Sequence, residues 1–252
     1  MTKKKKKNLQ FEIITIFPDI FNNYFSTSII KRAQNKGLIK IKIHNLRDWA
    51  TDKHRTVDDK PYGGGPGMIL KADVIWRAIA ALAKTKNKKP KIKNTNKKIK
   101  KQRIILLTPA GKQFNQKITY QYSKLDRLIL ICGHYEGVDA RVEKFVDEKV
   151  SIGPYVLTGG ELPAMVIVDA VTRLIPGVIR KESLAEESFS LPVSNIQYPT
   201  SSIEYPQYTR PRVLTIKNKY GRIKVLKVPK VLLSGNHQKI KEWRLKQITK
   251  HK

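Results

Sequence analysis

The sequence predicts an α/β protein built on a mostly parallel sheet. Short apolar runs recur along the chain: residues 104–107 and 128–132 are apolar throughout, and 11–17 is apolar but for Glu12 and Thr15. Glycine-bearing turns follow the two later runs, and segments of helical pattern separate them. Strands that are apolar throughout must be covered on both faces, which is the condition of parallel sheets flanked by helices.

Residues 11–17 (FEIITIF) read as the first strand. Pro18 and Asp19 open a helix expected to run to about Gln34, with Gly37 as its stop. Ile39, Ile41 and Ile43 alternate with Lys40, Lys42 and His44, the period of a strand with one buried face. Residues 72–83 are helical in pattern. Residues 84–101 are rich in lysine and asparagine without apolar periodicity and read as a solvated or disordered loop.

A β-turn-α pattern follows. Strand 104–107 leads into Thr108-Pro109-Ala110-Gly111 and a helix. Strand 128–132 leads into Gly133-His134-Tyr135-Glu136-Gly137 and a helix through Val142. A third strand begins at 150–152. Residues 161–174 form a helix with Pro163 in its first turn. Residues 176–210 read as a linker, and the tail from about Lys230 ends in a basic helix at 238–250.

Composition narrows the function. At 252 residues and 40% hydrophobic content, the chain can bury a sizeable core. No apolar run approaches the roughly 18 residues of a membrane span. The N-terminal lysines precede no signal-like apolar segment, so a cytoplasmic location is expected. Cys132 is the only cysteine, which excludes an internal disulfide and a cysteine-based zinc site. The 51 Lys and Arg against 20 Asp and Glu give a formal charge of +31, which points to a polyanion, nucleic acid before membrane. AT-biased coding also yields Lys, Ile and Asn, so charge alone leaves the partner open.

Ligands of open parallel sheets sit beyond the carboxyl ends of the strands. Three glycine-rich segments fall there: 108–111, 132–137 and 152–160. Singly each is a turn; at successive strand ends they suggest one shared pocket. None matches a dinucleotide or nucleoside-triphosphate fingerprint. In helix 161–174, Asp169 and Arg173 are the charged residues beyond its first turn and stand four apart. They read either as a structural ion pair or as an acid holding Arg173 toward a substrate. Residues 54–68 (HRTVDDKPYGGGPGM) form a loop suited to folding over a nucleotide. Arg55 and Lys60 are available there to phosphate, and Tyr62 to stack.

HRTVDDKPYGGGPGM, ICGHYEGVDAR, SIGPYVLTGGELPAM, IPGVI, YPQYTRP, VLLSGNH and EWRLKQ occur in this order. Together they resemble the bacterial tRNA (guanine-N1)-methyltransferases, SPOUT-type enzymes that modify tRNA position 37. The resemblance covers about residues 11–247, apart from the 84–101 tract.

The resemblance implies a deep trefoil knot in the parallel α/β domain and a small helical C-terminal domain. The implied plan is a basic tail at 1–10, a knotted catalytic domain at 11–178, a flexible linker at 179–195 and a tRNA-binding domain at 196–252. It implies a homodimer with shared active sites, tRNA as partner and no membrane. The methyl donor is S-adenosyl-L-methionine, and any Mg2+ acts without a dedicated protein site. Cofactor contacts carry over to Pro109, Gly133, Ile152, Gly153, Tyr155, Leu157, Gly159, Gly160 and Pro163.

The resemblance carries the catalytic group over to Glu187, Arg173 and Glu136. The family's linker base is an Asp; here Glu187 occupies that position and Glu186 is the alternative. Pro154 stands where the family has Asp, and His134 where Arg is common. Candidate RNA contacts are Arg55, Asp58, Lys60, Arg210, Lys241 and Arg244, and the tail helix bearing the last two reads equally as a solvated basic face. The rival functions are a ribose 2′-O-methyltransferase and a non-catalytic RNA-binding protein of the same fold.

Overall fold

The computed structural model describes residues 8–83, 101–180, 183–184 and 205–250. The lysine tract up to residue 100, the N-terminal lysines and most of the expected linker, with Glu186 and Glu187, lie outside the described residues. The chain divides into two compact units, residues 1–179 and 180–252.

In the first unit, β1 (Leu9–Thr15) pairs in parallel with β2 (Ile39–Asn45) on one side and with β6 (Arg127–Cys132) on the other. Beyond β6 lie β5 (Gln102–Gln113) and β7 (Glu148–Ser151), also parallel. The sheet order is β2-β1-β6-β5-β7. A small antiparallel pair, β3 (Asp58–Asp59) with β4 (Ile69–Leu70), closes the base of the glycine-rich loop.

Alternation along the central strands supplies two cores. Leu9, Phe11, Ile13, Ile105, Leu107, Leu128, Leu130 and Cys132 face one side. They pack there with residues of α2 (Ser28–Asn35), α4 (Gln116–Tyr122) and α5 (Glu161–Arg173). Ile14, Ile104, Leu106, Ile129 and Ile131 face the other side and meet α3 (Ala72–Ala83) through Val74, Ile75, Ala78 and Ile79. Strands buried on both faces need no polar alternation, which is why they read as unbroken apolar runs.

Four expectations need correction. The helix expected from Pro18 to Gln34 is broken into a 3-10 turn (Pro18–Phe21), α1 (Asn22–Phe25) and α2. The Ser26 and Thr27 hydroxyls donate to the carbonyls of Asn23 and Tyr24, and Thr27 is extended; such short side chains compete with helical hydrogen bonds. The segment 108–111 is not simply a turn, because β5 continues through a register shift to Gln113. The helix expected through Val142 is a 3-10 turn (Ala140–Lys144), started by the Asp139 carboxylate accepting from Arg141 N–H at 2.9 Å.

The fourth correction is in the second unit. It is not only helical: β8 (Val213–Lys217) and β9 (Ile223–Lys227) form an antiparallel hairpin. A 3-10 turn (Lys230–Leu233) and α6 (His237–Lys250) follow. Two helices agree with the reading: α3 spans the predicted 72–83, and α5 ends one residue before the predicted Leu174.

Candidate active site

One cavity of about 270 Å3 opens beside the register shift of β5, where β6 and β7 end and α5 begins. All nine residues expected at the cofactor line it: Pro109, Gly133, Ile152, Gly153, Tyr155, Leu157, Gly159, Gly160 and Pro163. Glu136 lines it too and is exposed to solvent. The three glycine-rich segments therefore do converge.

The convergence needs close backbone approach. β7 lies at the sheet edge beyond β5, yet residues 152–159 carry the chain back to the end of β6, where Gly160 N–H donates to Gly133 C=O at 2.8 Å. A Cβ on Gly160 would stand 2.6 Å from the Cys132 Cα and 2.9 Å from the Gly133 nitrogen. Both are backbone atoms that cannot swing aside, so only glycine fits.

Behind this contact lies an acid that sequence reasoning passed over. Glu161, the first residue of α5, is 4% exposed. Its carboxylate accepts the Thr15 hydroxyl at 2.7 Å, and the Thr15 oxygen in turn accepts from Phe17 N–H at 2.9 Å. The carboxylate's second oxygen is 3.9 Å from Nδ1 of His134, a buried nitrogen without a hydrogen-bond partner. Glu161 thus ties the end of β1 to the start of α5, beside the turn after β6. An acid at the first position of an otherwise apolar helix, directly after two glycines, was the available signal. Burial first, and then the Glu161 charge, push the Cys132 thiol well up; a protonated, buried thiol is not a nucleophile.

The glycine-rich loop is fastened to the cavity rim. Glu136 N–H donates to Met68 C=O at 3.1 Å, and Leu70 N–H to Gly137 C=O at 3.0 Å. Arg55 and Lys60 are exposed on this loop, and Asp58 is half-buried in β3. Tyr62 is fully exposed at its tip.

Arg173 sits at the opposite end of α5 from the cavity. About ten residues separate it from Pro163, roughly 15 Å along a helix axis. The structure therefore does not bring Arg173 to the cavity of its own chain. Asp169 accepts the Tyr24 hydroxyl at 2.5 Å, a partner the spacing along α5 did not foretell. Around this contact Phe17, Ile20, Tyr24, Leu162 and Val166 are each 41–51% exposed, an apolar patch on α5 and the segment after β1.

In the second unit, Arg210 and Lys241 are exposed. The Arg244 guanidinium lies over the Tyr205 ring at 4.5 Å, so it already serves an internal cation–π contact.

An open parallel sheet with a cavity near its strand ends, lined by glycine-rich turns and lacking a phosphate fingerprint, defines the class of α/β ligand-binding enzymes. The chain belongs to the tRNA (Guanine-1)-methyltransferase TrmD family, whose model matches residues 9–252. It is 49% identical to the tRNA (guanine-N(1)-)-methyltransferase of Dictyoglomus turgidum over 243 residues, 96% of this chain and 86% of the relative. The enzyme of that name from Chloroflexus aggregans is 48% identical over 238 residues, covering 94% and 81%. The one from Clostridioides difficile is 45% identical over 238 residues, covering 94% and 90%.

Proposed function

We propose that this chain transfers a methyl group from S-adenosyl-L-methionine to N1 of guanine at tRNA position 37. The observation that carries the reading is the convergence of nine motif residues on one cavity, in a chain matched to the family across residues 9–252. The cavity fits the cofactor because glycine backbone at Gly133, Gly153, Gly159 and Gly160 leaves polar main-chain groups unshielded, while Ile152, Leu157 and Pro163 supply apolar contact. When bound there, the cofactor supplies an electrophilic methyl carbon.

The chain's residues prepare the base. Guanine N1 carries a proton at neutral pH and becomes a nucleophile when the proton leaves. Glu187, or Glu186 beside it, takes that proton as general base. Deprotonated N1 is then the nucleophile that a methyl donor held at the cavity beside Gly133, Gly153, Gly159 and Gly160 would methylate. Negative charge builds on O6 during proton loss, and the Arg173 guanidinium stabilises it. Glu136, on the cavity rim, orients the substrate.

Arg173 serves the cavity of a second copy in this reading. The exposed patch of Phe17, Ile20, Tyr24, Leu162 and Val166 is the proposed two-fold interface. Two copies packed through it bring the Arg173 end of one α5 beside the Pro163 end of the other. We further propose the knotted topology, supported by the return of residues 152–160 across the end of β5. The proposed plan keeps a catalytic domain at 11–178, a linker at 179–195 and a tRNA-binding domain at 196–252. Arg55, Asp58, Lys60, Arg210, Lys241 and Arg244 are the proposed RNA contacts.

A cytoplasmic location goes with a tRNA substrate. No helix among the described residues is long and apolar enough to cross a membrane. The described residues include no cluster of three or more His, Cys, Asp or Glu able to hold a metal, and no step is assigned to Mg2+.

The test is incubation of the protein with unmodified tRNA and labelled S-adenosylmethionine, followed by nucleoside analysis. The expected product is 1-methylguanosine. A 2′-O-methylnucleoside, or no product from a folded protein that binds both substrates, overturns the reading.

A further inference from the structure

The hairpin of the second unit is exposed on both faces. Every residue from Gln207 to Lys227 is solvent-exposed, including Leu214, Ile216 and Leu226 at 41–47%. A two-stranded ribbon is at best marginal in water, so an uncovered one suits a surface that a partner completes. Its charge identifies the partner. Arg212, Lys217, Lys219, Arg222, Lys224 and Lys227 lie in the ribbon, with no acid between Arg212 and Lys227.

The cross-strand register sets their directions. Lys217 and Lys227 share a face with Val213, Thr215, Ile223 and Val225, while Lys224 shares the other with Leu214, Ile216 and Leu226. Both faces are therefore cationic, and neither repels phosphate.

The tip is held rather than loose. Asn218 N–H donates to Arg222 C=O at 2.9 Å, and the Asn218 side-chain oxygen accepts from Tyr220 N–H at 3.0 Å and from Arg222 N–H at 2.9 Å. This turn presents the Tyr220 ring 76% exposed, with the Lys219 ammonium 5.0 Å from its centroid. An exposed aromatic ring on a held turn, beside a cation, is the combination that binds phosphate backbone and stacks on an unpaired base.

We infer that the β8–β9 ribbon is a tRNA-binding element, with its cations on backbone phosphates and Tyr220 stacked on an unpaired base. The inference rests on the proposed tRNA substrate and adds an element that no sequence motif marked.

The test measures the affinity of the full-length protein for unmodified tRNA across a salt series. The variants are Lys217→Gln, Lys219→Gln, Arg222→Gln, Lys224→Gln and Lys227→Gln combined, and separately Tyr220→Ala and Tyr220→Phe. Each phosphate contact contributes roughly 0.7–0.9 to the slope of log affinity against log salt. The combined variant should lose several such units and on the order of 10–100-fold in affinity at physiological salt. Tyr220→Ala should lose about 5–150-fold, the range of one base stack, while Tyr220→Phe stays near wild type. If the combined variant does not keep the wild-type melting temperature, Lys219→Gln with Arg222→Gln at the tip replaces it, with a loss of one to two slope units expected. Unchanged affinity and slope in folded charge variants overturns the inference and leaves the ribbon to a protein partner. Formation of 1-methylguanosine by the wild type is scored separately, so failure of the ribbon and failure of the methyltransferase reading are distinguishable.

Discussion

The Thr15 hydroxyl donates to the buried Glu161 carboxylate at 2.7 Å, linking the last residue of β1 to the first residue of α5, 146 positions apart in sequence. Thr15→Val keeps the shape and removes the donor. A charged acceptor left short of a buried donor costs about 1–3 kcal/mol. The denaturation midpoint should fall with an unchanged slope, and cofactor affinity should fall with it. Glu161→Gln retains an acceptor for Thr15 and should be milder than Glu161→Ala.

Gly160→Ala places a methyl group against the Cys132 and Gly133 backbone, at 2.6 and 2.9 Å. Moving the backbone to admit it costs typically about 1–3 kcal/mol. The displaced strand ends are those that line the cavity. Calorimetry should show loss of S-adenosylmethionine binding in a protein that still folds. Wild-type affinity in this variant would mean that the cavity tolerates a wider approach of residues 159–160 to β6.

Arg173→Ala should reduce turnover by roughly 10²–10³, the scale of losing one oxyanion-type donor. Cofactor affinity should change little, because Arg173 lies far from its own chain's cavity. Mixing this variant with a Gly160→Ala variant should restore part of the activity if sites are shared between two copies, since one mixed site then holds both intact groups. Absence of any restoration in mixed dimers counts against the shared site.

Glu187→Gln should abolish nearly all methyl transfer while tRNA and cofactor still bind, because the amide cannot take the N1 proton. Glu186→Gln should be mild. An active Glu187→Gln with an inactive Glu186→Gln moves the base one position back, and activity in both removes the linker carboxylate from the mechanism.

The hydrogen bond to Asp169, then partial burial and the Asp169 charge, raise the Tyr24 hydroxyl from 10.0 to about 12. The folded state therefore holds a proton between these pH values that the unfolded chain has lost. Its stabilising contribution is complete below pH 10 and disappears as pH rises through about 12. The stability difference between wild type and Tyr24→Phe should shrink over that window. Tyrosinate absorbance should show one late-titrating group missing from the variant. If Tyr24 also lies in a two-fold interface, Tyr24→Phe should weaken dimerisation, readable by sedimentation.

The central strands were legible because each is buried on both faces, a state that writes itself as a continuous apolar run. Helix α3 was legible from its pattern, and α5 from apolar character with Pro163 in the first turn. The breaks at Ser26–Thr27 and the 3-10 turn after Asp139 were not, because local side-chain hydrogen bonds there outweigh a helical pattern. The hairpin had a signal that went unread: period-two runs on either side of Asn-Lys-Tyr-Gly. Its residues are so exposed that neither apolar face stands out from the lysines between.

By itself the sequence determined the family, the basic charge and the three glycine-rich segments that meet at the cavity, because these depend on residue type and order. Only the tertiary structure decided that Glu161 reaches Thr15, that Gly160 lies on the Cys132–Gly133 backbone, and that Tyr24 reaches Asp169. Those relationships join segments distant in sequence, and their distances are set by how the sheet orders its strands and how the chain returns across them. Local propensity holds no record of either.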